Sequence, residues 1–510
     1  MSIHRNLPAL IAGRAIKRQA IPDLPVEKFQ QAILEAVGEG WRVASFFGSP
    51  DASGTLHVYV VLADDHGSHL YVGSTTLFNH EYPSLTPRCT QVHLFERELA
   101  EQCQVKVTGH PWLKPLRFQS PIFSLSHPGA VAESRGHPLP GVMDFYEVAG
   151  QEVHEVAVGP VHAGVIEPGH FRFQCHGERI FHLEISLGYQ HRGVERALIG
   201  GPNNRSIHYA QTLCGDTTIG HSTAYCQVIE GLAKCQKTAR AQTIRAIALE
   251  LERLANHVGD LGAMSGDVGF LPTASHCGRL RGEFLNMTAT LCGSRFGRGL
   301  ICPGGVRFDL DANAVSGLLG KLDLCSRQTR QAVELLWNAS SVMARFEEIG
   351  VVSKTIAAEL GMVGPAARAC GLSRDARHDH PSGLFRFTHI PVSLWDSGDV
   401  FARAYLRWLE IQRSLDFIQT QLRSLPAGSI SGAVGNLSPD HLAVAMVEGW
   451  RGEVCHVALT NATGQFERYK VTDPSFHNWA GLAMAVRAGE ISDFPLCNKS
   501  FSLSYCGHDL

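Results

Sequence analysis

Between Ser120 and Gly150 the chain can hold neither a helix nor a central strand. Pro121, Pro128, Gly129, Gly136, Pro138, Pro140 and Gly141 remove backbone donors or loosen the backbone every few residues. This break divides the 510 residues into units of unequal size. The expected organisation is a domain over 1–125, a linker over 126–150 and a larger domain over 151–510. In the first unit Val26, Phe29, Ile33, Leu34 and Val37 fit one amphipathic helix over Pro25–Gly38. Leu56–Leu62 alternates as a strand with His57, Tyr59 and Val61 on one face, Asp64–Ser68 reads as a polar turn, and Leu70–Leu77 reads as a second strand.

In the second unit Val153–Val158 and Phe171–Leu187 read as strands, and from His208 the pattern becomes helical. Ile244, Ile247, Leu251, Leu254 and Val258 put one apolar stripe on a helix of about 20 residues, with Arg245, Glu252 and Arg253 outside it. Val315–Met343 and Val400–Leu425 follow the same period, and β pieces return near Glu453–Val471. The fold class expected is α+β, a small α/β domain followed by a mainly helical one.

Composition excludes several functions. Lys and Arg total 45 against 48 Asp and Glu, a net charge of −3, which leaves no basic field for nucleic acid. No run approaches the roughly 18 consecutive apolar residues of a membrane span. The segment Met1–Ala20 is too short in apolar residues and wrongly flanked for a signal peptide, so a cytoplasmic location is expected. The 14 cysteines include no C-x-x-C pair, against a zinc ribbon or a ferredoxin cluster in this chain. The Gly304-Gly305 pair and the Gly361 and Gly364 pair lack the GxGxxG spacing of a dinucleotide fold, so the sequence gives no dinucleotide fingerprint.

Phe95-Glu96-Arg97-Glu98 with Gly109-His110-Pro111 resembles the end of the thirty-kilodalton subunit of respiratory complex I. Six further segments resemble the forty-nine-kilodalton subunit and the large subunit of formate-hydrogenlyase-type (group 4) nickel-iron hydrogenases. They are Gly159–His162, Glu167–Arg172, Tyr189–Glu195, Gly220–Tyr225, Glu252–Asp260 and Arg451–Glu453. The resemblance implies a fusion of these two complex I subunits on one chain: a domain like the thirty-kilodalton subunit joined to a hydrogenase-large-subunit-like domain.

In that family four cysteines hold nickel and iron, as C-G-x-C-x-x-x-H and D-P-C-x-x-C. Here the first motif reads Cys214 to His221 with Thr217 in place of its second cysteine, and Asp473-Pro474-Ser475-Phe476-His477-Asn478 is matched to the second, with neither cysteine kept. Soft thiolates are what hold such a metal pair, so loss of the nickel ligands is expected and no metal is assigned. The tyrosine and histidine that bind quinone in complex I fall at Gly215 and near Pro168.

The residues singled out by the resemblance are Glu167, Asp216 and His221 as catalytic proton carriers, and His162, Cys214, Arg451, Asp473, Ser475 and His477 around an acceptor. His191, Arg192 and Glu195 are expected at the interface with a partner carrying a 4Fe-4S cluster. Four of them have a plainer alternative. Glu167 could be a salt-bridged carboxylate, Arg451 a partner of Asp473 or Glu453, Cys214 a packed thiol, and Arg192 the brace of a turn. Cys497 and Cys506 read as buried thiols of a packed tail, and His378-Asp379-His380 as a solvated loop.

The function expected is the large hydrophilic subunit of a membrane-bound, complex I-related oxidoreductase at the inner face of the cell membrane. It would pass electrons from a small iron-sulfur subunit to a quinone or other acceptor, beside membrane ion-translocating subunits. The chain itself would bind no cofactor other than a quinone. The alternatives are a non-catalytic scaffold subunit and an active hydrogenase.

Overall fold

The computed structural model describes residues 2–51, 53–122, 142–163 and 166–510. Part of the expected linker, 126–141, lies outside the described residues, and 142–150 carry neither helix nor strand.

The N-terminal part is an antiparallel sheet in the order Ala9–Leu10, His69–Leu77, Leu56–Asp64, Arg42–Pro50. Leu56–Asp64 alternates, but both its faces are covered. Val58, Val60 and Leu62 pack with Phe29 and Ile33 of the helix Val26–Gly38. Tyr59 and Val61 instead meet Leu442, Val444 and Met446 of a second sheet. An antiparallel sheet covered on both sides has no wet face, which explains the apolar density of this segment.

That second sheet runs Phe466–Thr472, Gly452–Thr460, His441–Gly449, Arg14–Lys17, all antiparallel. Its outer strand comes from the amino terminus, with Ile16 opposite Leu442. The third sheet, Arg179–Ser186, His170–His176 and Val153–Val158, gathers the β pieces expected at the start of the second unit. The fold is therefore α+β.

The predicted central helix is Ala239–Asp267, longer than the stripe that announced it and started by Thr238, whose side chain accepts from Ala241 N. Its side opposite the stripe is not wet. Arg245, Glu252 and Arg253 are all buried. Arg245 pairs with Glu230 at 2.6 Å, and Arg253 pairs with Glu250 at 3.1 Å while donating to the carbonyls of Glu448 and Gly449 at 2.7 and 3.0 Å. The predicted Val315–Met343 helix breaks at Asn338–Ala339 into Ala312–Trp337 and Ser340–Phe346. The helix expected over Val400–Leu425 spans Val400–Arg423 and is capped by Asp399. No helix of the described residues is long and apolar enough to cross a membrane.

The His378–His380 reading needs correction. Asp379 and His380 are buried, His380 Nε2 lies 3.0 Å from Asp65, and Asp379 accepts from Asp375 N at 2.8 Å. A histidine facing a carboxylate across two parts of the chain has no local sequence signal.

Candidate functional site

Three pieces of backbone meet at the site: the segment Cys214–Thr217 leading into the helix Thr218–Leu232, the Trp450-Arg451 turn between two strands, and the short C-terminal helix Tyr505–Asp509. The turn aims the Arg451 guanidinium at Asp216, which it grips with both terminal nitrogens at 2.6 and 2.8 Å. The same guanidinium stacks on the Trp450 ring at 3.9 Å and sits 3.3 Å from Cys214 Sγ. Trp450 fixes the turn by donating its indole N–H to the Asp216 carbonyl and to Thr217 Oγ1, at 3.0 and 3.1 Å. Burial pushes the Asp216 carboxyl up, but the Arg451 charge and hydrogen bonds more than offset it and bring it to about 2. Asp216 is thus a fixed anion at neutral pH.

Cys214 Sγ lies 2.9 Å from Asp216 Oδ1 and 3.1 Å from Ser504 Oγ, and Ser504 Oγ is 3.4 Å from Cys506 Sγ. The neighbouring Cys506 thiol and burial together raise Cys214 well above the usual thiol range, whereas the neighbouring Cys214 thiol lowers Cys506 against the opposing effect of burial. Glu167 approaches from the opposite side and accepts from the backbone N–H of Tyr505 and Cys506 at 3.3 and 3.4 Å. Ser504 caps the C-terminal helix through Gly507 N, and its own N–H donates to Ser475 Oγ at 2.8 Å. Gly507 is what lets this helix close on the site. A Cβ there would stand 2.6 Å from the carboxyl carbon of Asp473.

Asp473 caps the helix Pro474–Ala485 by accepting from Ser475 N at 2.8 Å and turns its other oxygen to His221 Nε2 at 3.1 Å. From there a buried chain continues, His221 Nδ1 to His456 Nε2 at 3.1 Å and His456 Nδ1 to Tyr469 Oη at 2.8 Å. Burial holds His456 well below the ordinary histidine range. Glu252 closes the site from below. Its two oxygens accept from Ile219 N and Gly220 N at 2.7 and 3.1 Å, doing for the Thr218–Leu232 helix what Thr217, the residue before it, does not. Burial raises the Glu252 carboxyl to about 8 despite those bonds.

Of the residues expected at the site, the structure brings together Glu167, Cys214, Asp216 and Arg451, with His221, Asp473 and Ser475 one layer behind. Others sit elsewhere. His162 is spent on the Gly169 carbonyl at 2.9 Å. His477 is buried 5.8 Å from the Phe95 ring of the N-terminal part, and burial lowers it to about 4. Arg451 pairs with neither Asp473 nor Glu453, since Glu453 is held by Arg42 at 2.6 Å.

At the expected partner face, Arg192 is exposed and braces the Thr212 and Leu213 carbonyls at 2.6 and 2.7 Å, and His191 reaches the Asp509 carbonyl at 2.8 Å. Both line a surface cleft of about 380 Å³ with Gln119, Arg196 and Ala197. Glu195 does not reach that surface. It is buried against Lys470 at 3.1 Å and Arg468 at 2.9 Å, which neutralise it inside the chain. Cys506 and Ser504 were missed as site residues, because no local signal ties a cysteine near the carboxyl terminus to Cys214.

The donors present do not make a four-thiolate nickel-iron cradle. Two thiols converge, Asp216 is committed to Arg451 and Asp473 to His221. Among the described residues no group of three or more His, Cys, Asp or Glu side chains is arranged to hold a metal ion.

Comparison with known proteins gives a consistent picture. The family of the respiratory-chain NADH dehydrogenase 49 Kd subunit matches residues 267–440. The carbon monoxide-induced hydrogenase of Rhodospirillum rubrum is 30% identical over 348 residues, 68% of this chain and 96% of that protein. Formate hydrogenlyase subunit 5 of Escherichia coli is 29% identical over 485 residues, 91% of this chain and 84% of that protein. In the solved structure of the membrane-bound sulfane sulfur reductase, an archaeal respiratory membrane complex, one chain is matched over its full length and 72% of this one. The TM-score is 0.67 at 22% identity, a likeness of fold.

Proposed function

Since the chain belongs to the family of the forty-nine-kilodalton complex I subunit and the large subunits of membrane-bound hydrogenases, we propose that it carries electrons inside a complex of that kind without a nickel-iron centre. A small iron-sulfur subunit docks at the cleft beside His191 and Arg192. Electrons pass to an acceptor at Cys214, Asp216, Arg451 and Glu167, while membrane subunits translocate ions and hold the complex to the inner face of the membrane. Residues 1–125 serve as the counterpart of the thirty-kilodalton subunit and 151–510 as the large-subunit-like unit.

The observation that carries this reading is the convergence of Glu167, Cys214, Asp216 and Arg451 in one polar cluster that the half-buried Cys506 joins to the surface. A site that had closed for good would be packed with apolar side chains, whereas this one keeps an ion pair whose acid is still partly exposed. Asp216 as a fixed anion beside two thiols can orient a hydrogen-bond donor on a substrate, with Glu167 as the nearby carboxyl for proton transfer. A quinone is one candidate acceptor, although the positions of its usual donors, Gly215 and Pro168, supply none.

The test is nickel and iron analysis of the complex purified with its partners, together with acceptor reduction. Iron without nickel, and loss of acceptor reduction in Asp216→Asn with assembly intact, are expected. One nickel per chain would restore hydrogenase chemistry. Unchanged reduction in Asp216→Asn would favour the scaffold reading, which the filling of the site by the Arg451 guanidinium supports.

A further inference from the structure

Cys214 and Cys506 come from distant parts of the chain, yet one hydroxyl, Ser504 Oγ, touches both sulfurs, at 3.1 and 3.4 Å. None of the 14 cysteines is in a disulfide in this structure. The two differ in access, Cys214 being buried and Cys506 only partly so. Arg451 Nη1 stands 3.3 Å from Cys214 Sγ, where it stabilises negative charge on sulfur, and Glu167 and Asp216 flank the pair as carboxylates.

We propose that Cys214 and Cys506 are a redox pair that cycles between dithiol and disulfide and reduces acceptors containing a sulfur–sulfur bond. The inference rests on the proposed electron-carrying role only for its supply of electrons. The outer thiolate, Cys506, attacks one sulfur of R–S–S–R′, forming Cys506–S–S–R and expelling R′–S⁻. Cys214 then attacks the Cys506 sulfur, its proton passing to the departing R–S⁻, so that RSH leaves and the Cys214–Cys506 disulfide forms. Two electrons and two protons move from the pair to the acceptor, yielding RSH and R′SH. Two electrons from the partner's iron-sulfur cluster, with two protons from solvent, restore the dithiol.

The purified complex, reduced with a phosphine, desalted and exposed to cystine or inorganic polysulfide, is quenched in acid, unfolded, alkylated and digested for mass spectrometry. The expected result is a peptide joining Cys214 to Cys506, with alkylation lost at those two positions and kept at Cys497. Alkylation of both thiols as in the untreated complex overturns the proposal. In Cys214→Ser a cystine adduct should accumulate on Cys506, and no adduct there also overturns it. A disulfide that forms and is cleaved by phosphine, but survives reduction of the partner's cluster, supports the thiol pair and counts against the electron route above. The two readings therefore fail separately.

Discussion

The Trp450 ring stands between two buried clusters of charge that differ in how they are used. On one side His257 meets it edge-on at 6.1 Å between ring centroids and leads into a network centred on Glu410. There Arg368 lies at 2.5 Å, His257 at 2.8 Å and Arg253 at 3.4 Å, while Arg368 also reaches Glu448 at 2.7 Å. On the other side Arg451 stacks on the ring and holds a single acid, Asp216, with two thiols beside it. Glu410 spends its charge on neighbours that are themselves fully enclosed, whereas the second cluster reaches the surface at the half-buried Cys506 and the partly exposed Asp216. The first fixes the shape of the helical domain. In the proposed role the second leaves the Cys506 thiol and the Glu167 carboxyl to act on something outside the chain.

Breaking the first cluster should cost most. Glu410→Ala strands Arg253, Arg368 and His257 in the core, and a loss of about 3–5 kcal/mol is expected in denaturant unfolding of the assembled protein. Glu410 is held well below the ordinary carboxylate range, where burial pushes it up and Arg368, His257 and Arg253 outweigh that. Its stabilising effect is therefore fully present above the unfolded value and fades as pH falls, so the variant should also lose part of the wild-type acid sensitivity.

Arg451→Gln tests the second cluster. It removes one charge from a half-open site, so the expected loss is smaller, about 1–3 kcal/mol for the unpaired acid. Its clearer effect is on Asp216, whose carboxyl should rise from about 2 once burial is opposed only by the Cys214 and Thr217 hydrogen bonds. Infrared difference spectra of the carboxylate against pH would read that rise, and an unmoved band would remove Arg451 as the cause.

The mildest change lies beneath both clusters. Glu252 is raised to about 8 by burial, so the folded chain keeps a proton that the unfolded chain releases. Its contribution is present below the unfolded carboxylate value and is lost as pH rises through about 8. Glu252→Gln should flatten the fall in melting temperature between those limits, and an unchanged slope would exclude Glu252 as its source.

Much of this architecture was legible along the chain because it is local. The stripe from Ile244 to Val258 announced the long helix, and alternation announced Leu56–Asp64. The strand His441–Gly449 was not announced, since Leu442–Val447 is a continuous apolar run buried on both faces and lacks the alternation that marks a half-buried strand. The segments Glu167–Arg172 and Cys214–His221 led to Glu167, Cys214 and Asp216, but nothing near Cys506 signalled its meeting with Cys214. Burial of Arg245, Arg253 and Glu195 was equally hidden, because their partners lie on other elements and polarity alone reads as exposure.

The strand Arg14–Lys17 completes a sheet whose other three strands lie within the last 70 or so residues of the chain. On the ribosome, Arg14–Lys17 must wait until His441–Gly449 has been made before it finds its hydrogen-bonding neighbours. Closing so long a loop carries an entropic cost that only tight contact at its ends, such as Ile16 against Leu442, offsets. Until then the Arg14–Lys17 edge and the apolar face of Tyr59 and Val61 stay uncovered on the nascent chain. The sheet therefore closes as a clasp, and a newly made copy is most open to misassociation in the interval before it shuts.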